Sequence, residues 1–320
     1  MHLMPRRAAL LTLPALAAPA FAQSERPIRW IVGFAAGGGT DSMARTIGQA
    51  MAPILGQTIL VENRPGAGGT LGAEAAARAA PDGLTIFSGD SGNMMSAMAL
   101  FRRLAYDPVR ELRGIGLYAD FPLVVAVPAA SPIRSIQDWF EAARRAGGAL
   151  PCGHPGVGSP HHLALERLAR DARIEVTQVP YRGAAPGVTD LIAGTLGSMV
   201  VDIASAGGAL RGGQIRALAT THPERWAALP DVPTLREAGL AEYSAPVWQG
   251  LVAPAGVPDA TFARLSDALS RVMADPAMRA RLTEIGVAPR HMDAATFDGF
   301  MRSEREFWLP FIRALNISLD

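Results

Sequence analysis

Several short stretches of this chain carry groups suited to chemistry. Gly37-Gly38-Gly39-Thr40-Asp41 sets three residues without a Cβ ahead of two good N-cap residues. The first turn of a helix has backbone N–H groups without partners, and the helix dipole is positive at that end, so such a stretch suits an anion. Gly89-Asp90-Ser91-Gly92 shares the core of a serine-protease signature. A serine nucleophile needs a base and an oxyanion hole in fixed geometry, and the rest of that signature is missing. Ser159 with His161 and His162 offers a Ser–His pair. Adjacent residues point different ways on a helix, so at most one of these histidines faces the serine. A ligand-facing loop is the simpler reading of both stretches.

His154, His161 and His162 suggest metal ligation, but their spacing matches no zinc pattern and no cysteine cluster supports them. A surface or helix-cap role is simpler, and neither a metal nor a cofactor is expected. The opening loop falls short of G-x-G-x-x-G because Ser42 holds the third place, which removes the dinucleotide fingerprint. All 30 basic residues are arginine. Schiff-base lysines, pyridoxal phosphate attachment and P-loop lysines are therefore excluded. Asp202 ends the apolar run Met199-Val200-Val201 and either accepts a hydrogen bond from a ligand or caps the segment 204–210. Arg182 follows a strand and either pairs bidentately with a ligand carboxylate or is a solvated rim residue. Cys152, the one cysteine, reads as a small strand residue and permits no internal disulfide. Were it to face a cleft, a thiol reagent would report occupancy.

The elements that position these groups follow from periodicity. Trp30-Ile31-Val32 and Phe34 form a strand, and Met43, Ile47, Met51 and Ile54 recur at helical spacing after the glycines. The runs 57–61 and 84–88 read as further strands, each followed by a polar loop and a helix. Three successive units of this kind imply a parallel sheet with helices on both faces and a ligand beyond the carboxyl ends of the strands. The run 123–127 is an apolar strand, and the first crossing between domains is placed near Val127. Ser135-Ile136-Gln137-Asp138 opens a helix with a capping box. Strands at 149–152, 176–179, 199–202 and 215–220 build a second half, and 248–254 returns to the first. Helices fill 258–274, 276–285 and 293–315, the last kinked or broken at Pro310.

The totals agree. The chain has 320 residues, 49% hydrophobic and 18% charged, which suits two globular domains with real cores. A net charge of +1 gives no electrostatic case for nucleic acid. Residues 1–22 read as an export signal: Arg6 and Arg7, a short apolar stretch, then Ala20-Phe21-Ala22 as a cleavage site. No later apolar run is long enough to span a membrane. Two α/β lobes with two crossings, exported from the cytoplasm, suggest a periplasmic binding protein with a hinged cleft. In that plan 23–127 and 245–320 form lobe one and 128–244 lobe two.

The motifs also resemble a family. They are Ile31-Val32-Gly33-Phe34-Ala35-Ala36-Gly37-Gly38-Gly39-Thr40-Asp41, Val61-Glu62-Asn63-Arg64-Pro65-Gly66, Ala80-Pro81-Asp82-Gly83, Val179-Pro180-Tyr181-Arg182-Gly183 and Leu229-Pro230-Asp231-Val232-Pro233-Thr234. In this order they resemble the Bug-type extracytoplasmic solute receptors of tripartite tricarboxylate transporters. The resemblance implies an α/β type II periplasmic-binding fold, with a small carboxylate enclosed between the lobes by backbone groups and ordered water. It implies contacts from Phe34, Gly38, Thr40, Asp41, Ser88, Gly89 and Ser91 in lobe one. From lobe two it implies Gly158, Ser159, His162, Arg182, Gly183 and Asp202. It further implies a monomer that delivers its ligand to membrane permease subunits without catalysis. A receptor signalling to a sensor kinase is the alternative, and a periplasmic hydrolase a more distant one. The chain departs from many relatives at Ala36 in place of proline, at Gly39 in place of a hydroxyl residue, and at Arg182 and Ala184 in place of lysine and a hydroxyl residue.

Overall fold

The computed structural model describes residues 26–319 except 227, 244 and 246. The expected export signal at 1–22 lies outside the described residues. From the start, the order is β1 (Ile28–Val32), α1 (Gly39–Leu55), β2 (Ile59–Asn63), α2 (Thr70–Ala77), β3 (Thr85–Asp90), α3 (Ala97–Leu100) and β4 (Leu112–Phe121). Then come β5 (Leu123–Pro128), α4 (Ile136–Ala146), β6 (Pro151–His154), α5 (Pro160–Ala172), β7 (Thr177–Pro180), α6 (Ala184–Ala193), β8 (Met199–Asp202), α7 (Ile203–Arg211) and β9 (Ile215–Thr220). The chain closes with β10 (Val247–Pro254), α8 (Asp259–Ala274), α9 (Pro276–Ile285), β11 (Ala288–Met292) and α10 (Ala294–Ala314).

Two sheets result, ordered β11-β4-β10-β3-β1-β2 and β7-β6-β8-β5-β9. The expected parallel pairings exist: β1 with β2 and β3, and β6 with β7 and β8. Neither sheet is wholly parallel. β10 runs antiparallel between β3 and β4, and β5 antiparallel between β8 and β9, because these strands carry the chain back and forth between the lobes.

The first crossing lies at Pro122, one strand earlier than expected. Leu123 through Ala126 pair with Asp202 through Met199 in the second sheet, so 123–127 belongs to lobe two. Two strands were not anticipated. β4 contains Gly114 and Gly116, which dilute the apolar alternation. Gly114 makes room for α10, since a Cβ there would stand 2.8 Å from Phe297; Gly250 of β10 does the same, at only 2.2 Å from that ring, while Gly116 makes room for Leu269 and the Met292 carbonyl. β11 contains Pro289 and sits at the sheet edge, where a missing N–H does no harm.

The first lobe's core gathers Trp30, Met43, Ile47, Ile86, Tyr118 and Leu269, and the second lobe's Val125, Trp139, Cys152, Leu165, Leu168 and Val200. Helix α10 serves both lobes. Its Phe297 and Met301 pack with Trp248 on the first sheet, while Trp308, Phe311 and Ile312 join the cluster of the second. The helix runs through Pro310 unbroken, so the expected break does not occur. Proline costs one ladder hydrogen bond there, and the buried residues on either side carry the helix through. The capping box at Ser135 is as expected: Asp138 N–H donates to Ser135 Oγ at 3.1 Å and Ser135 N–H to Asp138 Oδ2 at 2.9 Å.

Candidate functional site: a cleft of helix ends between two lobes

Strands β1, β2, β6, β7 and β8 each lead into a helix whose start faces the space between the lobes. A cleft of about 670 Å³ is lined by first-turn or preceding residues of α1, α2, α5, α6 and α7. Three of these helices start on glycine: Gly38, Gly69 and Gly183 hold the N-cap positions of α1, α2 and α6 with no side-chain cap. The first N–H groups of α1 and α6 have no intrahelical partner, whereas α2 continues a 3-10 turn and Thr70 N–H donates to the Ala67 carbonyl. The other two are capped. Ser159 accepts from His162 N–H, and Asp202 from Ser205 N–H at 2.7 Å.

The opening loop is held by the residue expected to touch ligand. Asp41 is buried, and its carboxylate accepts from Gly37 N–H at 2.9 Å, Asn63 Nδ2 at 2.9 Å and Arg45 Nε at 3.0 Å. Asn63 Nδ2 also donates to the Phe34 carbonyl. Burial alone would raise the Asp41 pKa, but the Arg45 and Gly37 hydrogen bonds outweigh it and hold the group below the usual carboxylate range. Asp41 therefore shapes the loop from behind and is not among the residues lining the cleft.

Thr40 does line it. A buried relay sets its polarity. Trp30 Nε1 donates to Ser88 Oγ at 2.8 Å, Ser88 lies 3.1 Å from the Tyr118 hydroxyl, Tyr118 donates to Gln249 Oε1 at 3.0 Å, and Gln249 Nε2 donates to Thr40 Oγ1 at 2.6 Å. Thr40 accepts from the protein, so its own O–H remains to donate. Ser159 on the opposite lobe is in the same situation, since its Oγ accepts from His162 N–H at 3.2 Å.

The third loop closes on itself. Asp90 Oδ1 accepts from Gly92 N–H at 2.7 Å and Asn93 N–H at 2.9 Å, and Oδ2 from Asn93 Nδ2 at 2.7 Å. Burial pushes the Asp90 pKa up to about 7. Ser88 and Gly89 lie inside β3, Ser91 is buried, and none of the three lines the cleft. Ser91 Oγ has no hydrogen-bond partner among the described residues, so nothing there activates it as a nucleophile.

Two of the three histidines are buried, which corrects the surface half of the surface or helix-cap role expected for them. His154 and His162 are buried and stack with ring centroids 4.4 Å apart. Burial, then the neighbouring His162, pushes the His154 pKa down to about 4. His162 Nδ1 accepts from Gly158 N–H at 3.0 Å, so its imidazole shapes the loop rather than pairing with Ser159. His161 lines the cleft and lies 3.1 Å from Asp202 Oδ2. Among the described residues no group of three His, Cys, Asp or Glu is arranged to hold a metal ion.

Asp202 lines the cleft while capping α7, so both readings of it meet in one residue. Burial raises its pKa, and His161 and Ser205 more than reverse this, leaving it below the usual range. Gly38, Gly158, Gly183 and Phe34 line the cleft as well. Arg182 does not: it is exposed beside Gly183. Cys152 is buried in the second lobe's core, its thiol pushed up to about 12 by burial, so a thiol reagent will not report on the cleft. Gln249, Phe101, Phe121 and Leu319 line the cleft unanticipated. Gln249 left a faint signal, as the lone polar side chain inside an otherwise apolar strand.

This geometry has relatives. Residues 43–317 match the family model described as the tripartite tricarboxylate transporter family receptor. A protein of Pseudomonas sp. strain P51, from the tcbD–tcbE intergenic region, is 35% identical over 288 residues, covering 90% of this chain and 85% of the relative. The solved structure of the periplasmic binding protein BugD is similar at a TM-score of 0.80 and 29% identity, covering 92% of this chain and 98% of that one. MatC from Rhodopseudomonas palustris, solved with bound malate, is similar at 0.78 and 34% identity, covering 90% and 99%. These matches cover most of the chain, and this chain belongs to the tripartite tricarboxylate transporter receptor family, with the periplasmic solute-binding fold of its Bug-type members.

Proposed function

We propose that this chain captures a small organic carboxylate in the cleft and passes it to membrane permease subunits, with no bond made or broken. One observation carries this reading. Thr40 and Ser159, on opposite lobes of one cleft, each accept a hydrogen bond from the protein and each keep a hydroxyl proton to give. The uncapped starts of α1 and α6 add backbone donors and dipole to the same space. The cleft thus offers donors from both walls without an arginine in its lining. A carboxylate bridging them would hold the lobes together and exclude water. The malate held by MatC is a precedent in a relative. Residues 1–22 act as the export signal in this reading, and the receptor works as a periplasmic monomer.

A thermal-shift screen of organic acids tests it. Ligand at about 100 times its dissociation constant adds about 2.7 kcal/mol of stability. At least one carboxylate should raise the melting temperature, and Thr40→Val combined with Ser159→Ala should abolish the rise. A screen in which amines or sugars stabilise the protein and no acid does would contradict it.

A further inference from the structure

We infer that the preferred ligand is an aromatic monocarboxylate rather than a di- or tricarboxylate. This rests on the carboxylate reading above and names its class. The first reason is the charge of the lining. Among the described residues no arginine lines the cleft, and the chain has no lysine, whereas Asp90 and Asp202 both do line it. A second ligand carboxylate would meet these acidic side chains, and the lining imidazole, His161, is already paired with Asp202. The polar side chains placed to hold it also have partners. Thr70 donates to the Ala67 carbonyl at 2.9 Å, Ser205 to Asp202 at 2.9 Å, and Gln249 is spent between Tyr118 and Thr40.

The second reason is where the rings sit. A Cβ on Gly39, the first residue of α1, would stand 3.0 Å from the Phe121 ring. A Cβ on Gly69, the N-cap of α2, would stand 3.4 Å from the Phe34 ring. Glycine at these two positions therefore gives two phenyl rings their seats, with Phe121 directly beside the open N–H groups of α1. An acid anchored at those N–H groups lays its carbon body against Phe34 and Phe121. Phe101 and Leu100 continue the apolar wall, and Leu319 completes it. The chain end is tied in place for this: Leu319 N–H donates to the Leu100 carbonyl at 2.9 Å, and Leu319 packs over Gly158. Aromatic pairs favour offset or edge-to-face packing at centroid separations of about 4.5–7 Å, which gives a ring in the cleft an advantage over an aliphatic chain of equal area. The cleft volume of about 670 Å³ admits a ring-bearing acid with room to spare.

Calorimetry on the purified chain decides the matter, with phenylacetate and benzoate against malate and citrate. At least one aromatic acid should bind tenfold or more tightly than citrate and malate. Phe101→Ala should lower the ratio of phenylacetate to malate affinity about tenfold. Leu319→Ala, at a partly exposed position next to the chain end, should lower it about threefold without touching the fold. Malate or citrate binding as tightly as the aromatic acids would overturn the inference and leave the carboxylate reading standing. A ratio unmoved by both variants would also overturn it. Binding by none of the four acids, nor by any other in the thermal-shift screen, would overturn both.

Discussion

The two walls of the cleft reach the same end by different means. On the first lobe α1 is left bare at Gly38, α2 carries no side-chain cap because it continues a 3-10 turn, and the loop before α1 is braced from behind by Asp41. On the second lobe, two of three helix starts are capped by Ser159 and Asp202, and only α6 begins on an uncapped glycine, Gly183. The acids are used differently too. Asp41 is withdrawn behind its loop, where Arg45 compensates it, while Asp202 stays on the cleft surface beside His161. The lesson is that a helix terminus becomes a ligand group only when no side chain has claimed its N–H groups, so the first lobe should carry most of the ligand's charge.

Breaking the brace of the first wall should have the largest effect. Asp41→Ala leaves the Gly37 N–H without an acceptor and takes from Arg45 and Asn63 their shared carboxylate partner, and unfolding in urea should show a loss of about 3 kcal/mol together with weakened ligand binding. Equal stability would mean that the loop holds its own shape. Capping the bare start of α1 comes next. Gly38 has extended φ and ψ of −76° and 172°, and a Cβ there meets only the Ala35 carbonyl at 3.5 Å, so aspartate fits. Gly38→Asp should raise stability slightly, by a few tenths of a kcal/mol, with a small rise in melting temperature, while costing about 2–3 kcal/mol of carboxylate binding. More stable but blind to ligand is an outcome that a merely structural role for the glycine does not produce.

The pH dependence of the first wall is smaller. Burial raises the Asp90 pKa to about 7, so from about pH 4 to about pH 7 the folded chain holds a proton that the unfolded chain has released. Stability therefore falls as pH rises through that window. Above about pH 7 the ionised Asp90 faces the cleft, and carboxylate binding should weaken by about 1 kcal/mol between about pH 6 and about pH 8. Asp90→Asn should flatten both profiles, which melting curves and calorimetry at each pH would record. The smallest effect is expected at Arg182. It is exposed and outside the lining, so Arg182→Ala should cost less than about 1 kcal/mol of binding. A larger loss would move the anion toward the second wall.

Much of this was legible in the residues. Glycines before a cap residue and an apolar helical stripe are local signals, and they located the loops after β1, β2 and β3, with strands β8 and β9 at their observed bounds. What stayed hidden was long-range. Gln249 reaches Thr40 across 209 positions, and no local pattern reveals that pairing or the relay behind it. The crossing at Pro122 was invisible because β5 is as apolar as any strand of the first sheet, and only its partners β8 and β9 say where it belongs. Ser88, Ser91 and Asp41 looked like contacts because their loops line the cleft. Their side chains turn inward, where hydrogen bonds to the chain itself hold Ser88 and Asp41.

The account stands on backbone donors from both lobes closing on one carboxylate. Amide NMR of the nitrogen-15-labelled protein during titration with the acid that binds best tests this most directly. The amides of Gly39 and Thr40 on α1 and of Ala184 and Ala185 on α6 should shift together, along one binding curve with one dissociation constant. Shifts confined to a single lobe, or centred on the exposed surface around Arg182 while the α1 amides stay still, would contradict it.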